Sequence, residues 1–562
     1  MAFSIRYFQH FYPSFIFVFI AFLIIIFTVG ISNKANFNQV VGPGYKFEYA
    51  YSMQDTRELL ANRCKFPFIF LANYDVEDGI YDVDPEDDCE PNELNKYVNL
   101  STQGVLTFRS KQETNMTLKP IRCTYYKHSG VSERYFDVGS KEIVPDVPVQ
   151  VPFYNFAFSC KRDGIVEFVK PFVNFAVIPK ETAGESVAII YLPSMHHMLF
   201  MKKMSRTKLF MQQNNFKFAQ TMNMKQPKPF LDLLLQLGIS SETSVFQKAK
   251  KQNFTTFFSG PQQIRDLIDA DYDTTSHRNF ISDYLIDEHL CLEDGRKLLD
   301  DQLEKMESFL ESTSGSKFFS VMFLDDYGSQ RSMIDYDLSE MLIRLNQKNI
   351  FEKTTLIFTT YDLSIKEVTD ENTKNPLFAI RLSNNLMKSQ PTELYFLHLN
   401  SYRYLTTSHS YYLIMNLLEP KTSSDLSPFT LKSTKRTCQS EGVPDSMCLC
   451  MKSVPQPDFP EKKFLEKLQK EFAEEIQKYK CVLSFEVKNT TEFFEYENAS
   501  EKIIALELSA DASVNGKKGK LDLSLTKTFV YDSSLNYFRD FDYARILRDH
   551  GVNIAIVSIC VL

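Results

Sequence analysis

Side chains able to do chemistry are few and scattered along this chain. His196 and His197 follow an apolar β-branched run, SVAIIYL (186–192), where an open α/β sheet places its ligands. Two adjacent imidazoles have the form of a metal-ligand pair. No carboxylate partner is near them in sequence, so an ordinary exposed loop pair is the simpler reading. Cys448 and Cys450 flank Leu449 and offer two thiolates. A structural zinc site needs four ligands, usually from two such pairs, and no second pair exists. Asp75 to Glu90 carries nine acidic residues and invites a calcium reading, but the EF-hand spacing fails at Gly79 because Val76 occupies a ligand position. A solvated acidic loop fits better. The phosphate-loop, dinucleotide-loop, zincin and nucleophile-elbow motifs are all missing.

The elements that would have to position these residues are those of an ordinary globular protein. Of 562 residues, 44% are apolar and 24% charged, which excludes whole-chain disorder and leaves room for two or three packed units. The 63 basic and 71 acidic residues leave no global positive field, and the short runs Lys202-Lys203 and Lys248 to Lys251 read as solvated faces, so no nucleic-acid partner is expected. Tryptophan is absent, so the core must be built from Phe, Leu and Ile.

Residues 15–31, FIFVFIAFLIIIFTVGI, contain no charge. As a helix they extend about 26–30 Å, enough to cross a bilayer and longer than the apolar part of a secretion signal. An uncleaved signal-anchor is the expectation; cleavage near Thr28-Val29-Gly30 would instead release a secreted protein. Arg6 before the helix and Lys34 and Lys46 after it do not set its direction. Sequons at Asn99, Asn115, Asn253, Asn489 and Asn498 do, together with the cysteines, because both suit a lumenal or extracellular bulk. The ten cysteines are Cys64, Cys89, Cys123, Cys160, Cys291, Cys438, Cys448, Cys450, Cys481 and Cys560. Their even number suits a disulfide framework whose connectivity sequence does not reveal. The chain therefore reads as a single-pass type II membrane glycoprotein. Its expected partners are the membrane, through one helix, and an unknown extracellular or lumenal protein or glycan.

Along the chain we expect a cytosolic tail (1–14), the anchor (15–31), a stem (32–63) and a β-rich, disulfide-bearing region (64–180). An α/β core follows (186–420), then a cysteine-rich segment (421–460) and an α+β ending (461–562). In the core, strands are predicted at 186–192, 318–324, 354–360 and 376–382. Helices are predicted at 201–213, 230–237, 298–310 and 337–347. This alternation implies a mostly parallel sheet flanked by helices. In the ending, Phe464, Leu468, Phe472 and Ile476 mark an amphipathic helix over 461–480, with strands at VLSFEV and KIIALELSA.

Five blocks in order carry a resemblance: AIIYLPSMHHMLFMKKMSRTKLFMQQ (188–213), with Ser194 and Phe200 matching; the helix near Pro229 to Gly238; FFSVMFL followed by DLSEMLIRLNQKNIFEKTTLIFTTYDL (337–363); NSYRYLTTSHSYYLIMNLL (400–418); and RTCQSEGVPDSMCLC (436–450). With Cys64 in RCKFP, they resemble the uncharacterised sulfatase-like family of membrane-anchored or secreted animal proteins, within the alkaline-phosphatase-like superfamily. The resemblance implies an alkaline-phosphatase/sulfatase-like core. In active members, carboxylates and histidines hold divalent metals beside a hydroxyl or modified-cysteine nucleophile. The resemblance puts the first metal aspartate at Pro193, the nucleophile near Pro227 and an Asp-His pair on Tyr361-Asp362. It also finds no histidine between Asp325 and Arg331. It thus implies a non-catalytic, degenerate ectodomain with a binding or structural role and no cofactor. The alternative is a metal-dependent sulfatase or phosphoesterase whose ions sit on a rearranged set drawn from His196, His197, Asp325, Asp326 and Asp362, with Ser194 or Thr221 as a neighbouring hydroxyl. A third reading is an inactive regulatory partner of an active paralogue.

Overall fold

The computed structural model describes residues 62–64, 89–90 and most of 92–453, followed chiefly by strands between 482 and 539. Within 92–453 it leaves out 110–120, 128–139, 180–182, 240–243, 285–290, 325–333, 362–373, 421–423, 451 and a few single residues. The apolar run 15–31, the acidic loop 75–88, Asn115, Asn498, Cys481 and Cys560 lie outside the described residues. No described helix is long and apolar enough to cross a membrane.

In the first described region the strands are all antiparallel, flanked by short 3-10 turns at Glu93–Tyr97 and Phe175–Val177. Strands β1 (Val98–Leu100), β2 (Val105–Phe108) and β5 (Val149–Gln150) form one small sheet. Strands β3 (Arg122–Lys127), β4 (Lys141–Ile143), β6 (Asn155–Arg162) and β7 (Ile165–Val173) form another. Phe156 and Phe172, opposite each other on β6 and β7, stack with ring centres 5.2 Å apart. Such aromatic cross-strand pairs are what hold a small sheet in register. Cys123 and Cys160 also face each other in register and form a disulfide.

The central sheet has seven strands in the order β12-β11-β13-β8-β14-β15-β9. They are β8 (Ser186–Pro193), β9 (Lys217–Phe218), β11 (Thr255–Ser259), β12 (Tyr272–Asp273), β13 (Phe318–Phe323), β14 (Thr354–Tyr361) and β15 (Phe378–Arg381). The five from β12 to β14 run parallel; β15 runs antiparallel to both β14 and β9. The sheet is therefore mixed at one edge, since an antiparallel neighbour needs no crossover helix. Strand β8 sits in the middle and all eight of its residues are buried. A strand covered on both faces needs a continuous apolar run, as SVAIIYL is. Phenylalanine fills much of the space. Tyr191 stacks on Phe323 at 4.6 Å, and Phe257 stacks on Phe309 at 4.0 Å.

Helices cover the sheet: α1 (His197–Lys203), α2 (Ser205–Gln213), α3 (Pro229–Gln236), α4 (Val245–Lys251), α5 (Gln262–Arg265), α6 (Thr275–Tyr284), α7 (Leu298–Ser312), α8 (Ile334–Gln347), α9 (Asn384–Ser389), α10 (Pro391–Asn400) and α11 (Thr407–Leu418). Leu299, Leu303, Met306 and Leu310 recur every three or four residues on α7, and all four are buried. Each such side chain contributes roughly 1.5–3 kcal/mol by leaving water. The single helix expected over 201–213 is instead two, broken at Met204 (φ −101°, ψ 54°). The break exposes new N–H groups, and Asp335 on α8 accepts them from Arg206 and Thr207 at 2.9 and 2.8 Å. A carboxylate from a neighbouring element thus caps α2, where it also meets the positive end of the helix dipole.

Beyond the core, two short strands, β10 (Met222–Asn223) and β16 (Leu405–Thr406), pair in parallel. Near the C-terminus β17 (Lys452–Ser453), β18 (Val482–Glu495), β19 (Glu501–Val514), β20 (Lys517–Asp532) and β21 (Tyr537–Arg539) form an antiparallel sheet. Both strands expected there are present and longer than expected. The helix expected over 461–480 falls almost entirely outside the described residues.

Candidate functional site

The C-terminal ends of β13, β8 and β14 lie side by side, with Phe323 paired to Tyr191 and Tyr361 paired to Pro193. In open α/β sheets this rim is where ligands bind. Pro193 ends the central strand, buried, and offers neither an N–H nor a ligand atom. Ser194 follows with φ 49°, in the left-handed region that costs an ordinary residue about 1–2 kcal/mol. The hydroxyl of Thr360 on β14 holds this turn. It donates to the carbonyl of Leu192 and accepts the N–H of Met195, each at 3.0 Å, and so clamps the backbone on both sides of Ser194.

The two histidines are buried, not an exposed loop pair. The turn at Ser194 drives the chain straight into α1 beneath the strand ends, which is why they are covered. His196 caps α1, its Nδ1 accepting the N–H of Leu199 at 3.2 Å. His197 Nε2 donates to Gln220 Oε1 at 3.1 Å, which leaves Nδ1 without a proton. That Nδ1 and the side-chain oxygen of Asn375 are both buried with no hydrogen-bond partner. The backbone N–H of His197 donates to the Asn375 carbonyl at 2.9 Å, so the two residues are neighbours. Burial lowers the His197 pKa to about 4, opposed by the Gln220 bond and helped by the charges of His196 and Lys208. At neutral pH this imidazole is uncharged, with a lone pair unengaged.

Pro227 is exposed in the loop before α3, and Pro229 opens that helix. The loop is anchored by Asp232, which sequence reasoning missed. Buried on α3, its Oδ1 accepts the N–H groups of Lys225 (3.0 Å) and Gln226 (3.2 Å) and the hydroxyl of Thr407 (2.6 Å). Its Oδ2 accepts from Gln236 at 2.9 Å. Burial raises the Asp232 pKa, against the pull of these donors. A lone acid inside the apolar run PFLDLLLQLG was the signal that could have found it. Gln220, Thr360 and Asn375 carried no such signal. The hydroxyl of Thr221 donates to the Arg403 carbonyl at 2.7 Å and ties two loops together.

The arrangement thus brings together Pro193, Ser194, Tyr361, His197, Gln220 and Asn375, and leaves Pro227 on the surface. Asp325, Asp326 and Asp362 lie outside the described residues. The described residues at the strand ends do not make up a divalent metal centre. One neutral imidazole nitrogen and one amide oxygen fall short of the charged, multi-ligand sets that hold such ions. Cys438, Cys448 and Cys450 cluster tightly, but their sulfurs are used in two disulfides, Cys438–Cys448 and Cys64–Cys450.

No known protein family matches the chain, and no curated protein does. Solved structures do. The C-terminal periplasmic domain of EcEptC from Escherichia coli aligns over 46% of this chain and 90% of its own, at 9% identity and a TM-score of 0.33. A protein in the alkaline phosphatase superfamily from Vibrio parahaemolyticus aligns over 67% and 87%, at 10% identity and 0.31. The lipoteichoic acid synthase LtaP from Listeria monocytogenes aligns over 67% and 92%, at 11% identity and 0.30. At such scores the likeness assigns no function to this chain.

Proposed function

We propose that this chain is a degenerate sulfatase-like ectodomain of the alkaline-phosphatase-like superfamily. In this reading it is a single-pass membrane glycoprotein whose lumenal or extracellular bulk binds a partner or serves a structural role and does not hydrolyse esters. The observation that carries the reading is Pro193. It occupies the end of the central strand, where the sequence resemblance requires a metal-binding aspartate, and the chain then turns through a clamped left-handed Ser194. A proline cannot be replaced as a ligand by a change of rotamer. Ester cleavage needs a metal-activated nucleophile facing the ester, and Pro227 supplies none.

The full chain, purified in detergent, is assayed against aryl sulfate and aryl phosphodiester substrates with and without zinc, calcium or manganese, alongside its metal content. The expected outcome is no turnover above a heat-killed control and no stoichiometric metal. The rearranged hydrolase draws its support from the unengaged lone pairs of His197 and Asn375. Turnover that disappears on Asp362→Ala or His197→Ala would establish that reading and remove the degenerate one.

A further inference from the structure

A cavity of about 230 Å³ opens between the C-terminal turn of α3 and the first turns of α11. None of the groups named at the strand ends lines it. Its apolar and aromatic lining includes Leu235, Leu426 and Tyr412. Its polar lining includes Lys225, Ser408, His409 and Glu441.

The charges of the polar lining do not balance. Glu441 is the acid lining the cavity, and its carboxylate is already engaged. Oε1 lies 3.2 Å from Arg436 Nη1, and Oε2 lies 3.6 Å from His409 Nε2. Lys225 has no ion-pair partner among the described residues. The hydroxyl oxygen of Ser408, in the first turn of α11, is buried without a hydrogen-bond partner. His409 Nδ1 accepts the N–H of Thr406 at 3.0 Å, and its Nε2 meets Arg436 Nη1 as well as Glu441. Burial and then the charges of Arg436 and Lys432 hold its pKa down to about 3, with Lys225 adding to the same positive field. The ring is therefore neutral and cannot supply an internal charge that competes with a ligand. What remains is an unmatched ammonium beside the first turn of α11, in a cavity whose lining also holds aromatic and aliphatic side chains.

We propose that this cavity binds a small organic anion built on a single ring, with its acidic group on Lys225 and its ring against Tyr412, Leu235 and Leu426. The size argues for one ring, because the cavity is smaller than the roughly 300 Å³ at which drug-sized ligands begin. The mixed lining argues for an anion with an apolar or ring-shaped body over a bare ion, since Leu235, Leu426 and the ring of Tyr412 offer it contact area beside the charge. The site goes beyond the reading of the strand ends as degenerate and stands whether or not those ends are catalytic.

The test is calorimetric titration of the full chain with two acids, benzoate and glucuronate, and with their neutral counterparts, benzyl alcohol and glucose. Benzoate and glucuronate separate an aromatic acid from an acidic sugar. The expected result is saturable binding of at least one acid below about 10 mM, with no binding of its neutral counterpart. Lys225→Gln is expected to weaken that binding by about tenfold or more by removing the unmatched charge, and Tyr412→Ala to weaken it through the ring. Lys225 is half-buried and its ammonium holds no ion pair, so Lys225→Gln should melt as the parent does. The proposal is overturned by absence of saturable binding of both acids, by equal binding of a neutral counterpart, or by unchanged affinity in Lys225→Gln.

Discussion

His277 shows how one side chain couples this fold to pH. It is buried on α6, and its Nε2 donates to Asp301 Oδ2 at 3.3 Å. The same carboxylate takes Arg296 Nη2 at 3.1 Å and Lys305 Nζ at 2.5 Å. Burial, then the Lys305 charge, lowers the His277 pKa to about 4, with Asp301 opposing. The unfolded chain binds this proton from about pH 6.5 downward while the native state refuses it until about pH 4. Stability therefore falls on acidification across that window, by up to about 3 kcal/mol from this residue. Asp301, held well below the usual carboxylate range despite its burial, adds a second loss at lower pH, as it is protonated. Denaturation curves from pH 7 to 4 should show this slope, and His277→Gln should flatten it; an unchanged slope would mean that other groups set the acid limit. None of this was visible in the sequence, where His277 sits alone.

At the level of elements, the strand-end turn is the place where local cost and tertiary support meet. Ser194 adopts a backbone conformation that favours glycine, and Thr360 keeps it there from the next strand. Thr360→Val keeps the shape but leaves the buried N–H of Met195 without a partner, which should cost about 1–3 kcal/mol in urea denaturation. Ser194→Gly should do the opposite and stabilise by about 0.5–1 kcal/mol, since glycine enters this region without the steric penalty. If both substitutions destabilise equally, the hydroxyl of Ser194 matters more than its backbone. The helix break at Met204 follows the same logic. The apolar pattern over 201–213 fits one helix, and it was the Asp335 carboxylate from α8 that made two short helices stable in its place.

On the scale of the whole molecule, disulfides join parts that are far apart in sequence. Cys64–Cys450 spans 386 residues and Cys89–Cys291 spans 202. Cys438–Cys448, by contrast, closes a loop of only 10. Among the described residues no cysteine is free. Removing the long Cys89–Cys291 link with paired serines should cost about 3–5 kcal/mol, because the chain-entropy term grows with the loop it closes. Thermal melts of the double variant check this, and peptide mapping without reduction checks the pairing itself. Between the β-rich region and the core, Phe175 packs edge-on against Phe257 and Phe309 at 5.6 and 5.5 Å. The loss on removing the disulfide is therefore expected to leave a folded protein.

What the sequence determined by itself follows from short-range periodicity. An unbroken apolar run such as SVAIIYL can be satisfied only by a strand covered on both faces, and the spacing of Leu299, Leu303, Met306 and Leu310 only by a helix with one buried side. Strands β8, β13, β14 and β15 of the core, three of its helices, their alternation and the presence of disulfides were therefore legible in it, while strands β9, β11 and β12 and the break at Met204 were not. Which cysteines pair, the reversal of β15, and the burial of His196 and His197 were decided by tertiary structure, because each depends on how separate elements meet in space and not on a local pattern. The same holds for the candidate sites. Pro193 was picked out by the family resemblance, but Thr360, Gln220 and Asn375 gain their roles only where β14 and two loops converge on it. The cavity beside Lys225 exists only because α3, α11 and the disulfide-bonded segment at 436–450 leave a gap between them, and no local pattern encodes a gap.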